Sequence, residues 1–373
     1  MKITYEKEVL ISQATPDVTE WGRWQFPRAW VMGGRIYVEF DDAHDSSAEY
    51  HLPKKQYFTE DSGATWRESH DLVGDLLPNG DIIKNHFMKP VKVGDLKLPD
   101  PIATVPNYAL ICSLYRAADL SDDLTAWYID RYVKAEDKWI IEKIKVDFPD
   151  YVIYDDGEVI VPNFFWFFKV APDKSLWGIW YCFTLSADGA PPKYSNAVFF
   201  RSDDFGHTWH ETGRIVYHPE DNPNDPLADI RMGYTEPDLA FTDDGRMFSV
   251  MRTMDGHGNA PSYISWSEDG GHTWSKPEVF DDLGVWPQNV NLRNGAILEC
   301  YGRPKLYTRV YYRGEWSERE RVPELRDTCS YCAVVTLDED DGSALLVFSD
   351  FSYPNADGVK CKTILCRKVH VEI

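Results

Sequence analysis

Long apolar runs are missing from this chain of 373 residues. No stretch approaches the roughly 18–20 residues of a bilayer-spanning helix, and Met1 to Leu10 mixes charge into its apolar positions instead of building a leader core. A cytoplasmic protein is expected, or a periplasmic or secreted one if a leader has been removed. Cysteine is sparse and unpatterned: the seven residues form an odd set without the spacing of a small disulfide scaffold, which favours free thiols. Cys329-x-x-Cys332 with Cys361 and Cys366 admits a zinc reading. Both pairs lie in strand-like apolar stretches, however, where cysteine usually serves as a small buried hydrophobe. No metal and no organic cofactor is expected. Basic residues are outnumbered, 39 Lys and Arg against 61 Asp and Glu, for a formal net charge of −22. Such a field repels nucleic-acid phosphates and anionic membranes, so neither is an expected partner. A small acidic substrate is still open, because converging arginines can reverse the potential inside a cleft, and salt screens the remainder beyond about 8–10 Å. Linkers rich in Gly or Ser, low-complexity tracts and long helical periodicities are also absent, which leaves a single domain over 1–373 as the economical expectation.

What is present is 14% aromatic residues with 23 Pro and 24 Gly, a balance that points to many short strands joined by tight turns. Candidate strands recur as apolar stretches bounded by turn residues: 35–40, 108–112, 176–181, 247–251, 296–300 and 344–348. One pattern repeats outright. Thr59-Glu-Asp61-Ser-Gly63-Ala-Thr65-Trp66, Ser202-Asp-Asp204-Phe-Gly206-His-Thr208-Trp209 and Ser267-Glu-Asp269-Gly-Gly271-His-Thr273-Trp274 share five positions. In a hairpin turn the Asp can accept from turn amides, the Gly can take a conformation costly to other residues, and the Trp can cover an apolar edge. Asp61, Asp204 and Asp269 are therefore structural residues. The second and third copies start 65 residues apart, the span of one four-stranded propeller blade, and the chain length then accommodates six. Ser121 to Trp127 reads as a degenerate copy.

Together these octapeptides and strands resemble the sialidase superfamily, whose Asp-box repeats lie in a six-bladed β-propeller. The expected fold class is thus all-β, a six-bladed β-propeller. Further residues carry the resemblance. Thr235-Glu236-Pro237 followed by Asp244-Gly245 and a strand ending in Arg252 is similar to the family's Glu-Pro, turn and arginine, with 16 residues between Glu236 and Arg252. Tyr301-Gly302-Arg303-Pro304 resembles the site of another clamp arginine, and Tyr331 follows Arg303 by 28 residues, as the family's nucleophilic tyrosine does. The family's first arginine falls in an Arg-Ile-Pro motif; here Phe26-Pro27-Arg28 stands in its place, so Arg28 is the choice and Arg23 the fallback. An acid/base aspartate is expected in the following loop, where Asp45 is preferred over Asp42 and His44.

The resemblance implies a retaining exo-glycosidase acting on a carboxylated sugar of a glycan. Arg28, Arg252 and Arg303 would grip the carboxylate, a role suited to planar charge-assisted donors. Tyr331 would attack the anomeric carbon, where an anionic carboxylate nucleophile would be repelled. Glu236 would activate the phenol, and Asp45 would protonate the leaving group and then activate water. A plain ion pair with an arginine is the competing reading of Glu236. His257, Asn259, Trp286, Gln288, Asn289 and Asn291 could shape the pocket. The alternatives are a propeller hydrolase for a neutral or uronic sugar, a lyase using a base such as His44, His86 or Tyr331, and a non-catalytic glycan-binding propeller.

Overall fold

A computed structural model describes residues 1–107, 110–186, 189–253 and 260–373. The strand expected over 108–112 therefore begins outside the described residues at Tyr108, and Leu110–Arg116 is its described part. The protein is all-β; the described residues contain one α-helical turn, Asp122–Thr125. Two compact units divide the chain.

The first unit comprises Met1–Val73, Ala240–Gly245 and Leu283–Ile373. Its sheets are antiparallel. Gln25–Met32, Arg35–Asp41, Lys55–Thr59 and Arg67–Glu68 pair in succession. Val285–Asn291, Ile297–Gly302 and Leu306–Tyr312 form a second sheet, with Glu315–Trp316 and Glu320–Arg321 both on its last strand. In the third, Cys332–Thr336 and Ser343–Pro354 continue into Lys360–Glu372, which also receives Lys2–Tyr5 and Val9–Gln13. Alternation along these strands buries Val38, Phe40, Leu345, Val347, Ile364 and Cys366 in one core.

The second unit comprises Gly74–Leu239 and Arg246–Asp282. Phe167–Val170, Leu176–Phe183, Ser195–Ser202 and Thr208–Ile215 form a meander. Thr208–Ile215 then runs parallel to Lys138–Asp147, which continues through Trp127–Val133 and Ile82–Asn85 to Asp75–Leu76, making eight strands. A five-stranded sheet is built on Leu110–Arg116 and Val152–Asp155, and a four-stranded one runs from Tyr234–Phe241 through Met247–Thr253 and Ser262–Ser267 to Glu278–Asp281. Trp127, Phe165, Phe200 and Trp209 anchor the core of this unit.

The three octapeptides fold alike. Each bridges the third and fourth strand of a meander, and its glycine takes a left-handed conformation, at φ +92° for Gly63, +86° for Gly206 and +85° for Gly271. The carboxylates of Asp61, Asp204 and Asp269 each accept the backbone N–H and the hydroxyl of the threonine four residues on, at 2.6–2.9 Å. The indole N–H of Trp66, Trp209 and Trp274 closes onto the glycine carbonyl. Ser121 to Trp127 does otherwise: it makes the helical turn Asp122–Thr125 on the way from Leu110–Arg116 to Trp127–Val133. It has no glycine where the repeats have theirs, so the left-handed step is costly there.

Candidate active site

Four of the expected residues, Arg28, Asp45, Arg303 and Tyr331, belong to the first unit. Arg303 follows the strand Ile297–Gly302. Its Nε and Nη2 both donate to the carbonyl of Cys329, at 3.2 and 3.0 Å. The guanidinium carbon lies 5.7 Å from the ring centre of Trp21 and 5.7 Å from that of Tyr331, within the range of a cation–π contact. A guanidinium carries five donors, and among the described residues no carboxylate pairs with this one. That is unusual in a chain with 61 acidic residues.

Tyr331 stands immediately before Cys332–Thr336 and is half-buried. Phe26 meets its ring edge-on at 4.5 Å, and Trp286 lies 4.7 Å away, fixed by its own N–H on the carbonyl of Cys332 at 2.9 Å. Trp286 thus packs against Tyr331. Gln288 bonds the carbonyl of Pro287 and Asn291 that of Phe241, while His257 and Asn259 lie outside the described residues.

Asp45 sits in the loop after Arg35–Asp41 with both carboxylate oxygens engaged. The indole N–H of Trp21 donates to Oδ2 at 2.8 Å and the hydroxyl of Tyr50 to Oδ1 at 3.2 Å. Arg23 and Asp42 are otherwise occupied: they pair with each other at 3.2 Å, with Glu20 and Lys55 as further partners. His44 is exposed, and its backbone N–H donates to Glu49. Arg28 is half-buried in Gln25–Met32, opposite Glu39 in the register. Its charge also acts on Asp41, whose pKa is raised by burial against the opposing pull of Lys54 and Arg28. Arg28 is therefore less free to bind an outside anion than Arg303.

In the second unit, Glu236 and Arg252 lie on neighbouring strands of one sheet. Arg252 Nη1 donates to Glu236 Oε1 at 2.7 Å, and both side chains are buried. Glu236 is held at φ +48°, a strained value of the kind that persists where the surroundings over-determine the backbone. The competing reading of Glu236, an arginine ion pair, is thus part of what is seen. His86 belongs to this unit and bonds Asp130 through Nδ1 at 2.8 Å. Among the described residues no group of three or more His, Cys, Asp or Glu could hold a metal, the seven cysteines are buried free thiols, and no helix is long and apolar enough to cross a membrane.

Trp21, Tyr50 and Phe26 were missed in the sequence. Their contacts span 5 to 330 positions, and no local signal in the sequence marks them.

This all-β arrangement is the sialidase-like fold, that of a group of propeller glycosidases. A Dyadobacter fermentans protein of unknown function is similar over 99% of both chains at 14% identity, with a TM-score of 0.62. The Hadza microbial sialidase Hz136 gives 0.53 at 16% identity over 93% of this chain, which spans 65% of that enzyme. The Penicillium chrysogenum α-L-arabinanase complexed with arabinobiose gives 0.54 at 15% identity, over 97% and 98% of the two chains. No protein-family model matches the chain, and neither does any curated protein. At these identities the likeness shows the fold alone.

Proposed function

We propose that the chain is a glycoside hydrolase on a six-bladed propeller, a retaining exo-glycosidase that removes a terminal carboxylated sugar from a glycan. Three meanders in the first unit, the four-stranded sheet of the second, and the eight-stranded sheet taken as two blades joined at their outer edges support six blades. The octapeptides are then Asp boxes, and the five-stranded sheet is an addition.

The observation that carries the functional reading is Arg303, a cation fixed by one carbonyl and two aromatic rings and paired with no acid among the described residues. Arg303 binds the substrate carboxylate with help from Arg28. Tyr331, its phenolic proton passing to Glu236, attacks the anomeric carbon as the glycosidic C–O bond breaks and Asp45 gives its proton to the departing oxygen. A glycosyl-tyrosine forms, and Asp45, now a carboxylate, takes a proton from the water that releases the sugar. The roles of Glu236 as base and Arg252 as a further clamp belong to the same proposal, and their buried pair supports a fixed geometry for Glu236. The partner is a carbohydrate, with no nucleic acid and no membrane.

One observation favours a second reading. Arg252 is already matched by Glu236, and Arg28 faces Glu39 and Asp41, so only part of a three-arginine clamp is uncommitted. A neutral or uronic sugar then fits, in keeping with the neighbour complexed with arabinobiose.

Release of 4-methylumbelliferone from its sialic acid, arabinofuranoside and glucuronide conjugates separates these readings. Turnover of the sialic acid conjugate, abolished by Tyr331→Phe and lowered by about 100-fold or more in Arg303→Ala, supports the first. Turnover of another conjugate only moves the chain to the second, and silence on all three counts against a glycosidase of either kind.

A further inference from the structure

The segment from Glu20 into the first residues of Gln25–Met32 takes no chemical part in the scheme above, yet its backbone is strained. Trp24 and Phe26 stand at φ +53° and +54°, and Gly22 at +98°. Such conformations persist only where neighbours over-determine them. The side-chain carbonyl of Gln25 accepts the Gly22 N–H at 2.6 Å. Lys362, only 8% exposed, sends its ammonium to the carbonyls of Glu20 and Arg23 and to the Gln25 amide oxygen, the last at 3.4 Å. Gly22 presses so close to the next loop that a Cβ there would come 2.2 Å from the Asp45 nitrogen. The product of this bracing is the placement of Trp21. Its N–H reaches Asp45 at 2.8 Å, its ring faces Arg303 at 5.7 Å, and Phe26 and Phe351 hold it edge-on at 6.4 and 6.2 Å.

We propose that Trp21 is a positioning residue that couples two different groups of the site: one edge orients the carboxylate of Asp45, one face orients the guanidinium of Arg303, and Lys362 stakes the loop that carries it. The inference goes beyond the glycosidase reading and rests on it only for the roles of Asp45 and Arg303. Because the two contacts use different parts of the indole, they separate by substitution. Trp21→Phe keeps a ring over Arg303 and deletes the N–H. Trp21→Leu removes both.

With the conjugate turned over best in the assay above, Trp21→Phe is expected to lower kcat about tenfold with KM within about twofold of wild type, since Asp45 acts in proton transfer. Trp21→Leu is expected to lower kcat similarly and also raise KM about tenfold through loss of the cation–π face. Lys362→Met should follow the leucine pattern. A readout that needs no turnover accompanies these. The indole 1H–15N signal of Trp21, assigned by its loss in Trp21→Phe, is expected to move in Asp45→Asn and in Arg303→Ala. An indole signal unmoved by either variant, or a phenylalanine variant kinetically equal to wild type or to the leucine variant, overturns the proposal. Failure of the glycosidase reading would silence the kinetics but leave the indole test standing.

Discussion

At Asp61 and Asp269 the hydroxyl of the threonine four residues on is the largest of several hydrogen bonds that hold the carboxyl pKa down, from 3.8 to about 2. The sign of the consequence follows from linkage. A carboxyl depressed in the folded state contributes stability that is present above its unfolded pKa and is lost as pH falls through the folded one. The urea midpoint of wild type should therefore exceed that of Asp61→Asn by a constant margin above about pH 5, and the margin should shrink as pH falls and vanish at about pH 1, below both pKa values. A margin undiminished there would mean that the turn is held by something other than this ionised group. These aspartates were legible in sequence because all their bonds fall within four residues. Arg303 and Tyr331 were legible only by resemblance, since the groups around them, Trp21, Cys329, Phe26 and Trp286, come from distant parts of the chain.

Two turn glycines separate backbone strain from crowding. Gly245 and Gly271 share nearly the same φ, +84° and +85°, but a Cβ at Gly245 meets nothing within 4 Å, whereas one at Gly271 would come 2.8 Å from the Trp177 ring. Gly245→Ala should cost about 1 kcal/mol, the left-handed penalty alone. Gly271→Ala should cost a further 1–3 kcal/mol, roughly, for the overpacking. Urea denaturation of the two variants checks the difference, and equal losses would remove the steric part of the argument. The strands at 35–40, 176–181, 247–251, 296–300 and 344–348 were readable because alternation and turn residues are local signals. The helical turn at Asp122–Thr125 was not, because Ser121-Asp-Asp123 imitates a repeat whose deciding glycine is missing. The loop that carries Trp21 had no readable signature, its shape being dictated by Lys362, more than 300 positions away.

Across the whole chain, the net charge of −22 bears on how a carboxylated substrate arrives. The long-range field opposes its approach while Arg303 attracts it only at close range, where salt screens least. Raising NaCl from about 0.02 to about 0.2 M, which shortens the screening length from about 20 to about 7 Å, should therefore increase kcat/KM for an anionic conjugate and leave a neutral one unchanged. A fall for the anionic conjugate would show that local attraction dominates the encounter. The pairing of Lys2 with Glu372 and of Val9 with Cys366 also sets a timetable. A ribosome adding about 5–20 residues per second needs about 20–70 s to travel from Lys2–Tyr5 to Lys360–Glu372. Before that interval ends the second unit, whose residues all lie between 74 and 282, is complete and can already be closing its sheets. The nascent N-terminal strands meanwhile have naked edges, open to chaperones and to neighbouring chains alike, until their distant partner is made.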